Sequence, residues 1–245
     1  MSYPSNPTNK IGDGVLYKGY TVGDIWGYVT GGILQEGDFD GVGANGKPLY
    51  HGPYFKGGQA YPGYIWYQDL DHDVITTGLN TVDDPGDRKV IGNNAPRYRY
   101  NITANFQYKG FDLDLMFQGV GKRDYWLSST SSYWGNGAGS WEVYNNSWTP
   151  ERTDAKFPMY GSGTGSYPQT GYLLDASYIK LKQVILGYTF PRALINKIGL
   201  EKLRLNLAAY NLFTISDMPK YYDADYLSDA YPPKRTFSVG IQVGF

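Results

Sequence analysis

This chain of 245 residues has no cysteine, only two histidines (His51 and His72), few charges (18%), and a net charge of -1. The missing thiols exclude disulfide scaffolds, thiolate zinc sites and cysteine nucleophiles together. Two histidines leave little for metal clusters or serine–histidine triads. With 22 Lys+Arg against 23 Asp+Glu there is no global basic field, so a nucleic-acid partner is not expected. Mean hydropathy is -0.45, and no apolar run approaches the ~18 residues of a membrane-crossing helix. That leaves open a β-barrel, whose strands hide their hydrophobicity by alternating it. The start, Met1-Ser-Tyr-Pro-Ser-Asn-Pro, has neither a charged n-region nor an apolar h-region, so no secretory signal is read there.

What the chain has in quantity is glycine (32), tyrosine (25) and period-2 alternation. In Arg97–Lys109, Tyr98, Tyr100, Ile102, Ala104, Phe106 and Tyr108 share one face, and Arg99, Asn101, Thr103, Asn105 and Gln107 share the other. Lys109-Gly110 is a two-residue turn signal, after which Phe111, Leu113, Leu115 and Phe117 alternate with Asp112, Asp114, Met116 and Gln118. Alternation returns in Leu203–Tyr210 and Phe237–Phe245. In Tyr178–Phe190 the apolar phase slips between Leu181 and Val184, and a one-residue bulge near Lys182-Gln183 would restore a single face. Weaker strands are expected around Asp13–Tyr20 and Ile25–Leu34, for about seven in all. Ala193–Lys202 has room for one helical turn between Pro191 and Gly199. The fold class is all-β.

Connections alternate between short and long, as in an antiparallel up-and-down transmembrane barrel with short periplasmic turns and long extracellular loops. Burying the polar face of Arg97–Lys109 would cost several kcal/mol per unsatisfied group, so that face is expected to be wet. Aromatics close both ends of the apolar faces, in the manner of interfacial girdles. An alternative reading is a secreted or surface β-sandwich that binds carbohydrate, with the apolar faces as core.

Candidate chemistry lies mostly in the loops. Asp69, Asp71 and Asp73 have the D-x-D-x-D spacing of a calcium loop, although Val74 stands at the glycine position and Asn80 at that of the bidentate glutamate. A solvated acidic loop is the competing reading, and no other cofactor is expected. Trp126, Tyr133, Trp134, Trp141, Tyr144 and Trp148 offer ring faces to a sugar or a lid protein, or pack among themselves. Arg97, Arg99, Asp112, Asp114 and Arg204 fall on the polar face and are expected to form a cross-strand ladder of ion pairs. Carboxylate pairs lie on separate loops without histidine or cysteine support, so an enzyme is not expected.

Several segments together resemble one family. Gly27-Tyr-Val-Thr-Gly-Gly-Ile-Leu-Gln, Pro62-Gly-Tyr-Ile-Trp-Tyr-Gln-Asp-Leu-Asp and Asp87-Arg-Lys-Val-Ile-Gly-Asn-Asn-Ala-Pro-Arg-Tyr are similar to the SusC/RagA-like TonB-dependent outer-membrane transporters of Bacteroidetes. Phe117-Gln-Gly-Val-Gly-Lys-Arg-Asp, Trp148-Thr-Pro-Glu-Arg-Thr-Asp-Ala-Lys-Phe-Pro, Tyr178-Ile-Lys-Leu-Lys-Gln-Val-Ile-Leu-Gly-Tyr-Thr-Phe-Pro, Tyr210-Asn-Leu-Phe-Thr and Arg235-Thr-Phe-Ser-Val-Gly-Ile-Gln-Val-Gly-Phe extend the likeness to the last residue. The resemblance implies a barrel of about 22 strands around a plug, of which residues 1–245 would be a C-terminal part. It further implies import of an oligosaccharide or oligopeptide, a SusD-like lipoprotein lid, energy from TonB through an N-terminal region absent here, contact with outer-membrane lipid, and a final aromatic, Phe245, read by the barrel-assembly machinery.

Overall fold

The computed structural model describes residues 5–12, 15–126, 141–219, 222–227 and 233–245. The chain divides into two compact units, Met1–Ala95 with Asp124–Leu174, and Pro96–Arg123 with Asp175–Phe245.

The second unit is one antiparallel sheet of five strands: β1 (Tyr98–Tyr108), β2 (Phe111–Gly121), β3 (Tyr178–Thr189), β4 (Lys202–Ser216) and β5 (Thr236–Gly244). Each strand pairs with its sequence neighbours, so the order across the sheet is the order along the chain. The β1–β2 hairpin closes at Tyr108↔Phe111. Lys109 (φ 46°) and Gly110 (φ 87°) both take positive φ there, which matches the right-handed strand twist. The β3–β4 connection contains the expected helical turn, Arg192–Ile195, and ends with Gly199 at φ 75°. The long connections, β2 to β3 and β4 to β5, leave from the opposite end of the sheet.

The slip in β3 is a bulge. Its register shifts between Leu181 and Gln183 against both β2 and β4, and a single apolar face runs through the sheet as a result. Cross-strand rows follow: Phe106, Leu113, Leu186, Leu207 and Val239 in one, and Ala104, Leu115, Val184, Ala209 and Phe237 in the next. Nearer the short turns come Tyr108, Phe111, Tyr188, Leu205 and Ile241. The Phe111 and Tyr188 rings lie 4.4 Å apart, and Tyr188 and Phe190 4.9 Å, forming a girdle at this end. On the same face, the Tyr100 ring lies over Gly119, where a Cβ would sit 2.1 Å from it. This face is open to solvent: Phe237 is 70% and Val239 74% exposed. Each such side chain left in water forgoes about 1.5–3 kcal/mol of burial.

The first unit is built differently. Asp24–Tyr28 pairs with Arg88–Asn93, Thr30–Ile33 with Ile65–Tyr67, and Phe39–Val42 with Pro48–Tyr50, each pair antiparallel and separate from the others. Its core is aromatic, with Tyr28, Tyr67, Trp148 and Phe157 buried beside Leu34, Ile65 and Ile75. The two weak strands read from sequence therefore do not extend the large sheet, which has five strands rather than about seven. Ile25–Leu34 splits at Val29 between two of the short pairs, Asp24–Tyr28 turning to Arg88–Asn93 and Thr30–Ile33 to Ile65–Tyr67. Residues 15–20 form no strand, and Asp13 and Gly14 lie outside the described residues.

Candidate functional site

The polar face of the large sheet carries the densest charge chemistry in this unit. Near the short turns, Arg204 on β4 reaches across β3 to Asp112 on β2, with Nη2–Oδ2 at 2.6 Å. Gly187 makes that span possible: a Cβ there would come within 2.6 Å of both side chains. Asn105 donates to Asp114 on the next strand. Of the ladder expected from Arg97, Arg99, Asp112, Asp114 and Arg204, one ion pair, Arg204–Asp112, forms among the described residues. Arg97 precedes β1 and contributes its backbone N–H to the Lys122 carbonyl.

At the opposite end, the alternation of Tyr178-Ile-Lys180-Leu-Lys182 puts both lysines towards the polar face. The bulge relaxes strict alternation and lets Lys182 and Gln183 stand together there. Lys180 is only 1% exposed. Its Nζ donates to both oxygens of Asp223, at 3.0 and 2.9 Å, and lies 3.6 Å from Asp225. Lys182 Nζ lies 3.4 Å from Asp225, and the Tyr178 hydroxyl donates to the other Asp225 oxygen at 2.6 Å. Burial opposes ionisation of Asp225, but the Tyr178 hydrogen bond and the two lysines outweigh it and hold the carboxyl below the usual carboxylate range. Arg123 donates to the carbonyls of Ala176 and Ala224, and its guanidinium sits 5.7 Å from the Tyr178 ring. Residues 222–227 of the β4–β5 connection are thereby strapped onto the polar face. Beside the strap is a cavity of about 400 Å³ whose lining includes Arg99, Asn101, Gln118, Arg123, Tyr178 and Asp225.

Sequence reading placed Arg99 on this face but missed Lys180, Lys182, Asp223 and Asp225. Their signal is the shared spacing: lysines at i and i+2 on a strand, aspartates at i and i+2 in Tyr222-Asp-Ala-Asp-Tyr.

The acidic loop of the first unit regroups. The carboxylates that converge are Asp69, Asp71 and Asp87, with oxygens within 4.8 Å of one another. Asp73 is not among them; its carboxylate caps the adjacent Val74 N–H. The cause is local turn geometry: Asp69 Oδ1 accepts from the N–H groups of His72 (2.7 Å) and Asp73 (3.3 Å), with His72 at φ 66°. Asp87 is fully buried and accepts from Leu70 N–H and Thr76 N–H, both at 2.7 Å. Local desolvation, a hydrogen bond with Asp73 and the charge of Asp87 push the Asp71 carboxyl up from its ordinary value.

The loop aromatics separate. Trp148 is 3% exposed and donates its indole N–H to Gln35 at 2.9 Å, so it is core and offers no ring face to a ligand. Trp141 is 77% exposed, edge-on to Tyr144 at 5.9 Å, and Tyr144 in turn meets Tyr160 at 5.7 Å. Trp126 is half-buried. Tyr133 and Trp134 lie outside the described residues.

No protein-family model matches the chain. Over 249 residues it is 29% identical to TonB-dependent receptor P3 of Formosa agariphila, an alignment covering 94% of this chain and 23% of that receptor. It is 28% identical over 193 residues to TonB-dependent receptor P26 of the same organism, covering 71% of this chain and 19% of the receptor. Its relatives are TonB-dependent receptors. The chain spans about a quarter or less of their length. Among solved structures, the RagAB peptide transporter matches with a TM-score of 0.62 and 19% identity, over 100% of this chain and 24% of that one. The RagAB peptide importer in the "open-open" state matches with a TM-score of 0.59 and 21% identity, over 94% and 23%. At that identity the likeness shows the fold: the five-stranded sheet is an antiparallel β-barrel segment of the kind TonB-dependent receptors contain, with one apolar and one charged face.

Proposed function

We propose that this chain is the C-terminal barrel wall and loops of an outer-membrane importer, energised through TonB, that takes up an oligosaccharide or oligopeptide beneath a SusD-like lipoprotein lid. One observation carries the reading. A five-stranded sheet leaves a continuous apolar belt uncovered while its other face holds ion pairs and a cavity. Strands of 9 to 15 residues have the length a tilted transmembrane strand needs. In hydrocarbon the belt rows recover the burial they lack in water, and the three inner strands, paired on both sides, satisfy their backbone within the sheet. The sandwich reading needs the belt to be the covered face, which the exposure of Phe237 and Val239 does not favour.

In this reading the polar face borders the path of the cargo. Arg204–Asp112 and the lysine–aspartate strap hold the wall and the β4–β5 connection in fixed geometry, and transport rather than bond-making is the activity. Among the described loop aromatics, the exposed pair Trp141 and Tyr144 offers ring surface to a glycan or to the lid. The acidic loop serves as an organiser, since both Asp87 oxygens already accept backbone N–H groups. Titrating the full receptor with Ca²⁺ is then expected to give no heat at millimolar concentration, and a saturable signal lost in Asp71→Asn would assign a metal site.

Fractionation and uptake test the whole. The full receptor is expected in the outer-membrane fraction, and uptake of its cargo should stop when TonB is deleted. Recovery as a secreted soluble protein would overturn the reading. Deleting Phe245 is expected to lower the outer-membrane amount several-fold, because the assembly machinery reads the terminal aromatic; unchanged levels would remove that role.

A further inference from the structure

At the long-connection end of the polar face, Arg99, Arg123, Lys180 and Lys182 stand against two carboxylates, Asp223 and Asp225. The lysines consume both. Lys180 takes Asp223 at 2.9 Å, and Lys182 shares Asp225 with Lys180 and the Tyr178 hydroxyl. The two arginines are the surplus. Arg99 forms no ion pair among the described residues. Arg123 is buried; its Nε and Nη2 donate to backbone carbonyls and its face meets the Tyr178 ring, which fixes that edge of the guanidinium without neutralising its charge, and Nη1 has no hydrogen-bond partner among the described residues. Both arginines line the same cavity of about 400 Å³, and the one carboxylate among the described residues of its wall, Asp225, is already committed. Two like charges beside one partly enclosed space repel unless an anion joins them. The remaining lining carries no charge and mixes polar Asn101 and Gln118 with Met116, Val120, Tyr100 and Tyr178.

We propose that this cavity is a subsite for a carboxylate carried by the cargo, held by Arg99 and Arg123. Arginine is suited to this because its planar fork meets a carboxylate through two parallel hydrogen bonds. The volume is at the lower end of ligand pockets and takes one sugar ring or one terminal amino acid, not a longer segment. The inference rests on the importer reading, since that reading makes this face the one the cargo meets. A uronic acid residue of an oligosaccharide and the C-terminus of a peptide carry the same carboxylate, and binding measurements separate them.

The full receptor is purified in detergent and titrated with four probes: tetragalacturonate and its neutral, carboxyl-reduced counterpart, and tetraglycine with a free or an amidated C-terminus. In at least one pair the carboxylated probe is expected to bind about tenfold tighter or more, with the preference shrinking between about 0.02 and 0.3 M salt. Arg99→Gln is expected to abolish that preference. Asn101→Asp, which keeps both arginines and adds a negative charge to the lining, is expected to do the same, and it provides the test if Arg99→Gln assembles poorly. No preference in either pair, or a preference that survives both substitutions, would overturn the proposal. A receptor that inserts in the outer membrane but shows no preference loses the subsite alone; one that does not insert loses the importer reading.

Discussion

The two units use the same aromatic-rich alphabet in opposite directions. In the first, Tyr28, Tyr67, Trp148 and Phe157 point inward and are covered, as in a water-soluble body. In the second, Phe106, Phe111, Phe213 and Phe237 point outward in ordered rows, while charge occupies the other face. Composition averages over both and reports neither. What distinguishes them is register. Five strands in cross-strand rows form a wall with one apolar and one charged face, whereas short separate pairs form a body with one core.

That contrast can be broken at several points. The largest effect is expected in the first unit. Phe157→Ala removes a fully buried ring and should cost about 3–5 kcal/mol, read as a loss of protease resistance in that unit of the full receptor. A cost below about 1 kcal/mol would mean the unit has no core of that kind.

Next comes the wall. Phe106→Arg, on the belt face of β1, should cost about 2–4 kcal/mol in folding into lipid vesicles, while Gln107→Arg next to it should be mild. Equal effects would erase the distinction between faces.

A smaller effect concerns the strap. The Asp225 carboxyl is held below the usual range, so its contribution is present above the unfolded-state value of about 3.9 and lost as pH falls through the lower folded-state value. Hydrogen exchange in residues 222–227 is expected to be slow at pH 7 and to accelerate only below about pH 4. In Asp225→Asn that acid step should be reduced. A strap equally open at pH 7 in both proteins would show that Asp225 does not hold it.

The wall was legible in the sequence because alternation is a local property. One-residue spacing in Tyr98–Tyr108 and Phe111–Gly121 fixes the faces, Lys109-Gly110 fixes their register, and even the β3 bulge is visible as a phase slip at Lys182. The first unit was not legible, because its strands of three to six residues are too short to carry a period and are chosen by pairing partners far along the chain, as Asp24–Tyr28 is by Arg88–Asn93. The site shows the same division. Arg99, Asp112 and Arg204 lie on alternating strands and were placed on the correct face. Asp223 and Asp225 were missed because a connection folding back onto a wall leaves no periodic trace. Asp87 replaced Asp73 beside Asp69 and Asp71 for a related reason: a bend at His72 decides which carboxylates meet, and spacing alone does not reveal it.

The central claim, that the two faces of one strand meet different solvents, is tested most directly on β5. This chain has no native cysteine to interfere. Single cysteines at Ser238, Val239, Ile241 and Gln242 of the full receptor in its membrane would be labelled with an environment-sensitive fluorophore and exposed to bromolipid or to an aqueous quencher. The account predicts bromolipid quenching at 239 and 241 and aqueous quenching at 238 and 242. A uniform pattern, or the reverse, would contradict it.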